Sequence, residues 1–317
     1  MKSNKIADLL WASFLLIIAP FRGILRAVCK PFICQPQRSM ENEIVLVTGA
    51  AQGMGRGMAL EFAKLGATVV CWDINEHGCQ ETAELAKKVS NGKAPAFSYV
   101  CDISKRDEVA AVARQVQTEV GEVSILVNNA GIVTAGRLDS YQPETISRVV
   151  ATNYTSHFWT IEAFLPHMKA VDRGQIVCIS SMSSLTPPEY LVPYASTKCA
   201  VSGLMDALDE ELISLGYKNI KLTTVLPFFT ATSGLQQQLK KSQPEKNSER
   251  MEAMETSQVV KDIVGSVVMK KREFTVPGYL LAGTQILKLY PRDVRRAWKQ
   301  VFLGNWRFYF TGNKEQL

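Results

Sequence analysis

The stretch that most limits what this chain can fold into is a glycine-rich turn between an apolar run and a helix. IVLVTGA (44–50) has the pattern of a short buried strand, and MALEFAKLGA (58–67) has the spacing of a helix. Between them stand glycines at positions 49, 53, 55 and 57. Such a turn lets the backbone approach a pyrophosphate closely at the start of a helix. A second strand, TVVCWD, then ends in Asp73. Together these features predict a dinucleotide-binding unit.

Asp73 indicates which dinucleotide is bound. It lies 18 residues beyond Gly55, near the ~20 expected for a carboxylate that binds the adenosine ribose 2′-hydroxyl. A carboxylate there repels the 2′-phosphate of NADP, so NAD is expected as the cofactor and NADP is less favoured. Arg56 is the opposing signal, since an arginine near this pocket can receive a phosphate. The alternatives are a helix N-cap for Asp73 and a tight turn for the glycines.

The rest of the chain alternates strands and helices as far as about residue 270. Strand patterns occur in AFSYVCDIS, VSILVNNAG, GQIVCISS and IKLTTVLPF, with helical patterns between them, including one over 143–169. This alternation predicts an α/β fold with a doubly wound parallel sheet in a single domain, taken as residues 41–272. Ligands of such sheets bind beyond the carboxyl ends of the strands. Asp102, 128–131, Ser181 and Pro227 all lie at such ends.

Ser181, Tyr194 and Lys198 predict proton-transfer chemistry at this edge. On a helix, Tyr194 and Lys198 lie four residues apart and face the same side. A phenol titrates near ~10, and a neighbouring ammonium is expected to lower its pKa toward neutral pH. Ser181 could then hydrogen-bond the oxygen of an alcohol or carbonyl while a hydride moves elsewhere. Spacing alone proves little, because Tyr217 and Lys221 share it in a stretch that reads as turn and strand.

These residues, taken together, resemble the short-chain dehydrogenase/reductase family over roughly residues 41–270. The matching motifs are TGAAQGMG (48–55), CDI (101–103), NNAG (128–131), Asn153, Ser181, Tyr194-Ala-Ser-Thr-Lys198, and Pro227 with Thr232. The resemblance implies a catalytic set of Asn153, Ser181, Tyr194 and Lys198. It implies cofactor contacts from Thr48, Gly49, Gly53, Met54, Gly55, Asp73, Asp102, Ile103, Asn129, Ala130, Gly131, Tyr194, Lys198, Pro227 and Thr232.

The resemblance also implies individual roles. Tyr194 would be the base, Lys198 would lower its pKa and hold the nicotinamide ribose, and Asn153 would belong to a water-mediated proton relay. Asp102 would contact adenine, Asn129 would support the central strand, and Thr232 would touch the carboxamide. Ser181 and Phe228 would contact substrate. Phe228 departs from the glycine that the family usually carries, and its bulk could narrow the nicotinamide pocket or line it with apolar surface.

Both ends of the chain suggest contact with a membrane. Residues 6–21 are apolar except for Asp8 and Ser13, and basic residues follow them. A full span needs about 20 apolar residues, so residues 1–40 are expected to form a membrane anchor or shallow insertion and a linker. The alternatives are a signal peptide and a buried helix.

Residues 233–257 are expected to form a mobile flap, or else a plain surface helix. Residues 273–317 are apolar and aromatic with interspersed basic residues, which suits a bilayer interface; packing on the domain or on a homodimer partner is the alternative.

Composition excludes several function classes. The net charge of +6 is spread along the chain, which does not predict nucleic-acid binding. Seven cysteines stand singly and are expected to be reduced and cytosol-facing. Three histidines lack metal-ligand spacing, so no metal site is expected.

Within the family, the N-terminal anchor, VCWDIN and TTVLPFFTATSG resemble the membrane-bound branch of epidermal retinol dehydrogenase and lipid-droplet 17-beta-hydroxysteroid dehydrogenases. That resemblance implies NAD-dependent oxidation of a lipophilic alcohol, with retinol to retinal expected first. A hydroxysteroid or long-chain alcohol is the alternative substrate. A non-catalytic scaffold that keeps the fold is the alternative of another class. The expected location is the endoplasmic reticulum membrane, cytosol-facing, with the lipid droplet as the alternative.

Overall fold

Parallel strands form the centre of the protein in the computed structural model, which describes residues 39–228 and 254–303. The strands in these ranges are β1 (Ile44–Thr48), β2 (Thr68–Asp73), β3 (Ala96–Val100), β4 (Ile125–Asn128), β5 (Gly174–Ile179), β6 (Ile220–Pro227) and β7 (Glu273–Val276). They form one sheet in the order β3-β2-β1-β4-β5-β6-β7, and every neighbouring pair is parallel. The chain changes direction across the sheet between β1 and β4, and ligands of doubly wound sheets bind at such a switch point.

Helices cover both faces of this sheet. They are α1 (Gly53–Lys64), α2 (Glu76–Val89), α3 (Arg106–Glu119), α4 (Pro143–Val150), α5 (Ser156–Ala170), α6 (Val192–Ser214) and α7 (Thr256–Val268). Apolar residues of α1, α2 and α7 join one buried cluster, and those of α3, α5 and α6 join another. The predicted doubly wound α/β fold is confirmed.

The strand β1 shows why the sheet must be covered twice. Successive side chains of a strand point to opposite faces. Val45 and Val47 therefore belong to one cluster and Leu46 to the other, and all three are 0% exposed. A run of apolar residues without alternation is what a parallel sheet buried on both faces requires.

The helical segment predicted over 143–169 forms with one interruption. Between α4 and α5 the chain makes a π-helical turn, Ala151–Thr155. Such turns are uncommon and often occur at functional sites, because the extra residue redirects a side chain. Asn153 lies in this turn and is fully buried.

At the end of the sheet, the pattern of QVVKDIVGSVVMKKREF (258–274) predicts a single helix, and the structure departs from it. The structure ends α7 at Val268, turns the chain at Lys270 with a φ of 52°, and pairs β7 with β6. The run EFTV is too short to indicate a strand by its own pattern, because it directly follows a helical pattern. Burial of Phe274 and Val276 against the sheet decides its conformation.

Beyond β7 the chain forms α8 (Leu280–Lys288) and α9 (Arg292–Leu303). Several predictions fall outside the described residues: the anchor at 6–21, Thr232, most of the flap at 233–257, and the aromatic residues Trp306, Phe308 and Phe310. Across 39–228 and 254–303, no helix combines the length and apolar character needed to cross a bilayer.

Candidate active site

The glycine turn at the end of β1 forms a cradle that side chains would fill. A Cβ atom at Gly55 would lie 2.0 Å from the Gly49 carbonyl oxygen and 2.7 Å from the Asn129 amide nitrogen. Gly49 itself has a φ of 68°, a conformation that favours glycine. The open backbone stands at the N-terminus of α1, where an anionic pyrophosphate is stabilised. The turn therefore fits a dinucleotide.

A hydrogen-bond network fixes this turn to the neighbouring strand. The Thr48 hydroxyl accepts from the backbone nitrogens of Asn129 and Ala130 at 3.0 and 3.1 Å. The Asn129 side chain donates to the carbonyl oxygens of Thr48 and Gly49 at 2.9 and 3.3 Å. Asn129 thus ties β4 to β1 across the switch point, and Met54 packs at the edge of the apolar cluster below the turn.

Asp73 ends β2 beside the same turn. One carboxylate oxygen accepts from the Ala51 backbone nitrogen at 2.9 Å, and the other accepts from the Asn75 backbone nitrogen at 3.0 Å. A carboxylate offers about four lone-pair positions, so these two bonds leave acceptors for a ribose hydroxyl. Asn75, and not Asp73, caps α2: its side chain accepts from the Gly78 nitrogen at 3.0 Å.

Asp102 and Ile103 follow β3. The Asp102 carboxylate accepts from the backbone and hydroxyl of Ser104 at 3.1 and 2.7 Å, and Lys105 lies 3.4 Å away. Ile103 is buried in an apolar cluster. Both residues stand at the carboxyl edge of the sheet, as the sequence predicts, and their contact with the cofactor stays a prediction.

Ser181, Tyr194 and Lys198 converge at the carboxyl end of β5. The Lys198 ammonium lies 5.7 Å from the centre of the Tyr194 ring and donates to the Ile179 carbonyl oxygen at 2.7 Å. Ser181 lies beside the Tyr194 phenol and lowers its pKa. The predicted trio therefore shares one site, which lies next to the glycine turn because β5 neighbours β4 and β4 neighbours β1.

The electrostatics of this trio differ from the sequence expectation. Burial raises the pKa of the Tyr194 phenol, and the neighbouring Ser181 hydroxyl opposes that rise only in part. Lys198 is 4% exposed, and burial lowers its pKa to about 8. The expected lowering of the phenol pKa by Lys198 is therefore wrong for the protein alone, because the ammonium faces the ring and the Ile179 carbonyl.

Ser183 is a site residue that the sequence reading missed. It follows Ser181 in the short helical turn Met182–Ser184, and its backbone nitrogen and hydroxyl donate to the Ser181 oxygen at 3.1 and 2.6 Å. These two bonds occupy both lone pairs of Ser181, so its own proton remains for the phenol or a substrate oxygen. The serine cluster SMSS was the available signal.

Asn153 is held rigidly by the loop after β4. Its side-chain oxygen accepts from the Ile132 nitrogen at 2.8 Å, and its amide nitrogen donates to the Ile132 carbonyl at 2.8 Å. A Cβ placed on Gly131 would lie 3.3 Å from the Asn153 oxygen and 3.7 Å from the Lys198 nitrogen. Asn153 and Lys198 thus border the same glycine. Burial, and then the Lys198 charge, lower the pKa of the nearby His157 to about 3, so its ring is neutral.

The remaining predicted residues fall on the same edge or outside the described chain. Pro227 is buried at the end of β6, and the Phe228 backbone nitrogen donates to the Val276 carbonyl at 2.9 Å. Tyr217 and Lys221, which share the spacing of Tyr194 and Lys198, have different contacts. The Lys221 ammonium donates to the Lys218 carbonyl at 2.6 Å, and the Tyr217 ring packs near Lys169.

The doubly wound sheet, the glycine cradle and the trio after β5 define a nicotinamide-dependent oxidoreductase. Comparison with known proteins agrees. The family model described as short chain dehydrogenase matches residues 43–243. The chain therefore belongs to the short-chain dehydrogenase/reductase family, and it is an enzyme of that family that uses a nicotinamide cofactor.

Two relatives place the chain within the family. It is 41% identical to epidermal retinol dehydrogenase 2 of Homo sapiens over 210 residues, covering 66% of this chain and 67% of the relative. It is 35% identical to estradiol 17-beta-dehydrogenase 11 of Mus musculus over 267 residues, covering 84% and 86%. The chain belongs to the branch that holds these proteins.

A solved structure supports the fold alone. The short-chain dehydrogenase/reductase of Burkholderia phymatum, in complex with NAD, superposes with a TM-score of 0.68 at 21% identity. The superposition covers 78% of this chain and 93% of that one.

Proposed function

We propose that the protein oxidises a lipophilic alcohol with NAD, and that all-trans-retinol, giving retinal, is the substrate. The observation that carries this proposal is the joining of Ser181, Tyr194 and Lys198 in one crevice beside the glycine cradle. Few other chemistries use a serine, a phenol and a buried ammonium at the carboxyl edge of a dinucleotide-binding sheet.

The proton step belongs to the trio. Ser181, with both lone pairs filled by Ser183, donates a hydrogen bond to the alcohol oxygen and fixes its position. Tyr194, as phenolate, removes the hydroxyl proton. Burial disfavours that phenolate, so positive charge from Lys198 and from an oxidised cofactor must stabilise it. NAD, when bound, supplies the hydride acceptor at the nicotinamide and a positive charge.

Lys198 and Asn153 are the residues proposed to link Tyr194 to water. The buried ammonium can hold a ribose hydroxyl and exchange protons with water, since its pKa of about 8 lies near working pH. The Asn153 side chain is committed to Ile132, so its part in a relay falls to its backbone carbonyl, in a π-helical turn where hydrogen bonding is irregular.

The choice of NAD over NADP rests on two side chains. Asp73 keeps acceptor positions for a ribose hydroxyl and repels a 2′-phosphate. Arg56, the opposing signal, is bound elsewhere: its guanidinium donates to the Ala51 carbonyl at 2.6 and 3.1 Å and pairs with Glu81 at 2.7 Å.

The choice among lipophilic alcohols rests on the relatives and on the pocket wall. Identity to a retinol dehydrogenase supports retinol, and 84% coverage by an estradiol 17-beta-dehydrogenase supports a hydroxysteroid as the second candidate. Phe228, which is half-buried after β6, suits an apolar substrate in either case.

Membrane contact is part of the proposal. Large apolar side chains of the region after β7 are exposed, at 76% for Tyr279, 57% for Ile286 and 85% for Leu289. Exposed Arg292, Arg295 and Arg296 follow them in α9. Apolar and aromatic side chains beside arginines suit a bilayer interface. We infer an enzyme anchored by residues 1–40 on the cytosolic side of the endoplasmic reticulum, with the lipid droplet as the second location.

A panel assay tests the substrate and cofactor together. Purified full-length protein in detergent or vesicles is incubated with retinol, hydroxysteroids and long-chain alcohols, each with NAD and with NADP. NAD-linked formation of retinal as the fastest reaction is expected. Turnover of a steroid alone would replace retinol with the second candidate. No NAD-linked turnover of any lipophilic alcohol would contradict the proposed function.

A further inference from the structure

Arg56 and Asp73 flank a single residue of the glycine turn. Asp73 accepts from the Ala51 backbone nitrogen at 2.9 Å, while both ends of the Arg56 guanidinium bind the Ala51 carbonyl oxygen, Nη2 at 2.6 Å and Nε at 3.1 Å. The cation therefore stands close to the end of β2, where the adenosine ribose is expected. Its side chain is 27% exposed, so it reaches the surface of the crevice.

Glu81 of α2 holds this cation. Its carboxylate lies 2.7 Å from Arg56 Nη2, and the neighbouring Thr82 hydroxyl accepts from Arg56 Nε at 3.0 Å. The Gly78 carbonyl accepts at 3.4 Å. Glu81 is 51% exposed, so its negative charge also stands at the surface of the same edge. The glycine turn and the first half of α2 thus converge on one guanidinium.

We propose that Glu81 is a specificity-determining residue that keeps Arg56 from binding the 2′-phosphate of NADP. Glu81 pairs with the Arg56 cation, which could otherwise bind the phosphate, and it adds a second negative charge to that of Asp73. Arginine binds phosphate strongly when its fork is accessible, so an arginine in the glycine turn would otherwise favour NADP. This inference rests on the proposed preference for NAD.

The neutral acceptors around Arg56 do not replace Glu81. The Ala51 and Gly78 carbonyls and the Thr82 hydroxyl carry no charge, and hydrogen bonds to charged acceptors are roughly twice as strong as those to neutral ones. A phosphate could therefore compete for the guanidinium once Glu81 is replaced by a neutral residue. In wild type, the Arg56 guanidinium is already paired with the Glu81 carboxylate, so the phosphate binds it less well.

The test measures binding before turnover. Dissociation constants for NADH and NADPH are measured by nicotinamide fluorescence on full-length wild type and on Glu81→Gln. The variant is expected to shift the NADPH-to-NADH affinity ratio toward NADPH on the order of fivefold, the effect of one partly exposed charge pair. Glu84→Gln is the matched control, since Glu84 lies on α2, is 65% exposed and pairs with Lys87. It should leave the ratio unchanged.

A second variant shows whether the gain acts through Arg56. In Glu81→Gln combined with Arg56→Gln, the shift toward NADPH should disappear. An unchanged ratio in Glu81→Gln, an equal shift in Glu84→Gln, or a gain that survives loss of Arg56 would each overturn the inference. Thermal unfolding of each variant shows that the fold is intact. Wild type that prefers NADPH would instead overturn the proposed NAD preference, while the shift caused by Glu81→Gln would still test its role.

Discussion

Lys198 is the residue whose environment is most unusual for its type. Its ammonium is buried, donates to one backbone carbonyl and has a pKa lowered to about 8 by burial. An unfolded chain would give the same lysine a pKa near ~10.4. Between these values the unfolded state binds a proton that the folded state does not, so stability decreases as pH falls from about 10.4 to about 8.

Replacing this lysine should separate stability from activity. We expect Lys198→Met to abolish turnover and to raise the free energy of unfolding at pH 7 by about 2 kcal/mol, since burial of the ammonium no longer opposes folding. The gain should shrink as pH approaches 10. Urea denaturation at several pH values measures it. Lys221→Met, from the pair outside the site, is the control, and lower stability of Lys198→Met at pH 7 would contradict the account.

At this scale the sequence predicts which residues meet but not what each one contacts. Ser181, Tyr194 and Lys198 could be placed together because helix spacing and strand ends determine their positions. The Ser183 bonds to Ser181, and the pairing of Arg56 with Glu81, 25 residues apart, depend on side-chain directions that spacing does not reveal. The direction of the Tyr194 pKa depends on burial, and so was predicted wrongly.

Among the elements, the turn between β1 and α1 is the one whose backbone leaves least room for change. A Cβ at Gly55 would lie 2.0 Å from the Gly49 carbonyl oxygen. By contrast, Gly203 is a solvent-exposed residue in the middle of α6, and a Cβ there would have nothing within 4 Å. The same substitution should therefore have opposite effects at these two positions.

We expect Gly55→Ala to destabilise the fold by about 1–3 kcal/mol and to abolish NADH binding, because the turn must open to admit the methyl group. Gly203→Ala should stabilise it by about 0.5–1 kcal/mol and leave binding intact, since alanine favours helix. Thermal unfolding and nicotinamide fluorescence measure both. Normal NADH binding by Gly55→Ala would show that the cradle is not the cofactor site.

Elements with strong periodicity were predictable from the sequence, and short or irregular ones were not. The six strands up to β6 follow from apolar runs bounded by turns. The strand β7 was missed because four residues after a helix carry little pattern, and pairing with β6 determines it. The π-helical turn around Asn153 left no signal, since the helical pattern of 143–169 continues through it.

At the scale of the whole molecule, we propose that a dinucleotide-binding domain is attached to a membrane surface. The described residues, 39–228 and 254–303, belong to one compact unit that begins at Ser39. We expect a fluorescent fusion of the full chain to localise to endoplasmic reticulum membranes and a fusion lacking residues 1–40 to lose them, with NADH binding retained. A truncated fusion that stays on the membrane would assign attachment to the region after β7.

The fold and the cofactor class could be read from the sequence because strand–helix alternation and the glycine turn are local patterns. Substrate identity could not, since no local sequence pattern encodes the shape of a substrate pocket. The central proposal concerns the Ser181–Tyr194–Lys198 site, where we propose that Tyr194 is the base for alcohol oxidation.

The most direct test compares Tyr194→Phe with Tyr217→Phe and wild type in NAD-linked oxidation of retinol. Loss of the phenolic oxygen at Tyr194 should reduce kcat at least ~100-fold, the size of a general base contribution, with NADH binding nearly unchanged. Tyr217→Phe, from the pair with the same spacing, should retain wild-type turnover. A Tyr194→Phe enzyme as active as wild type would contradict the central claim.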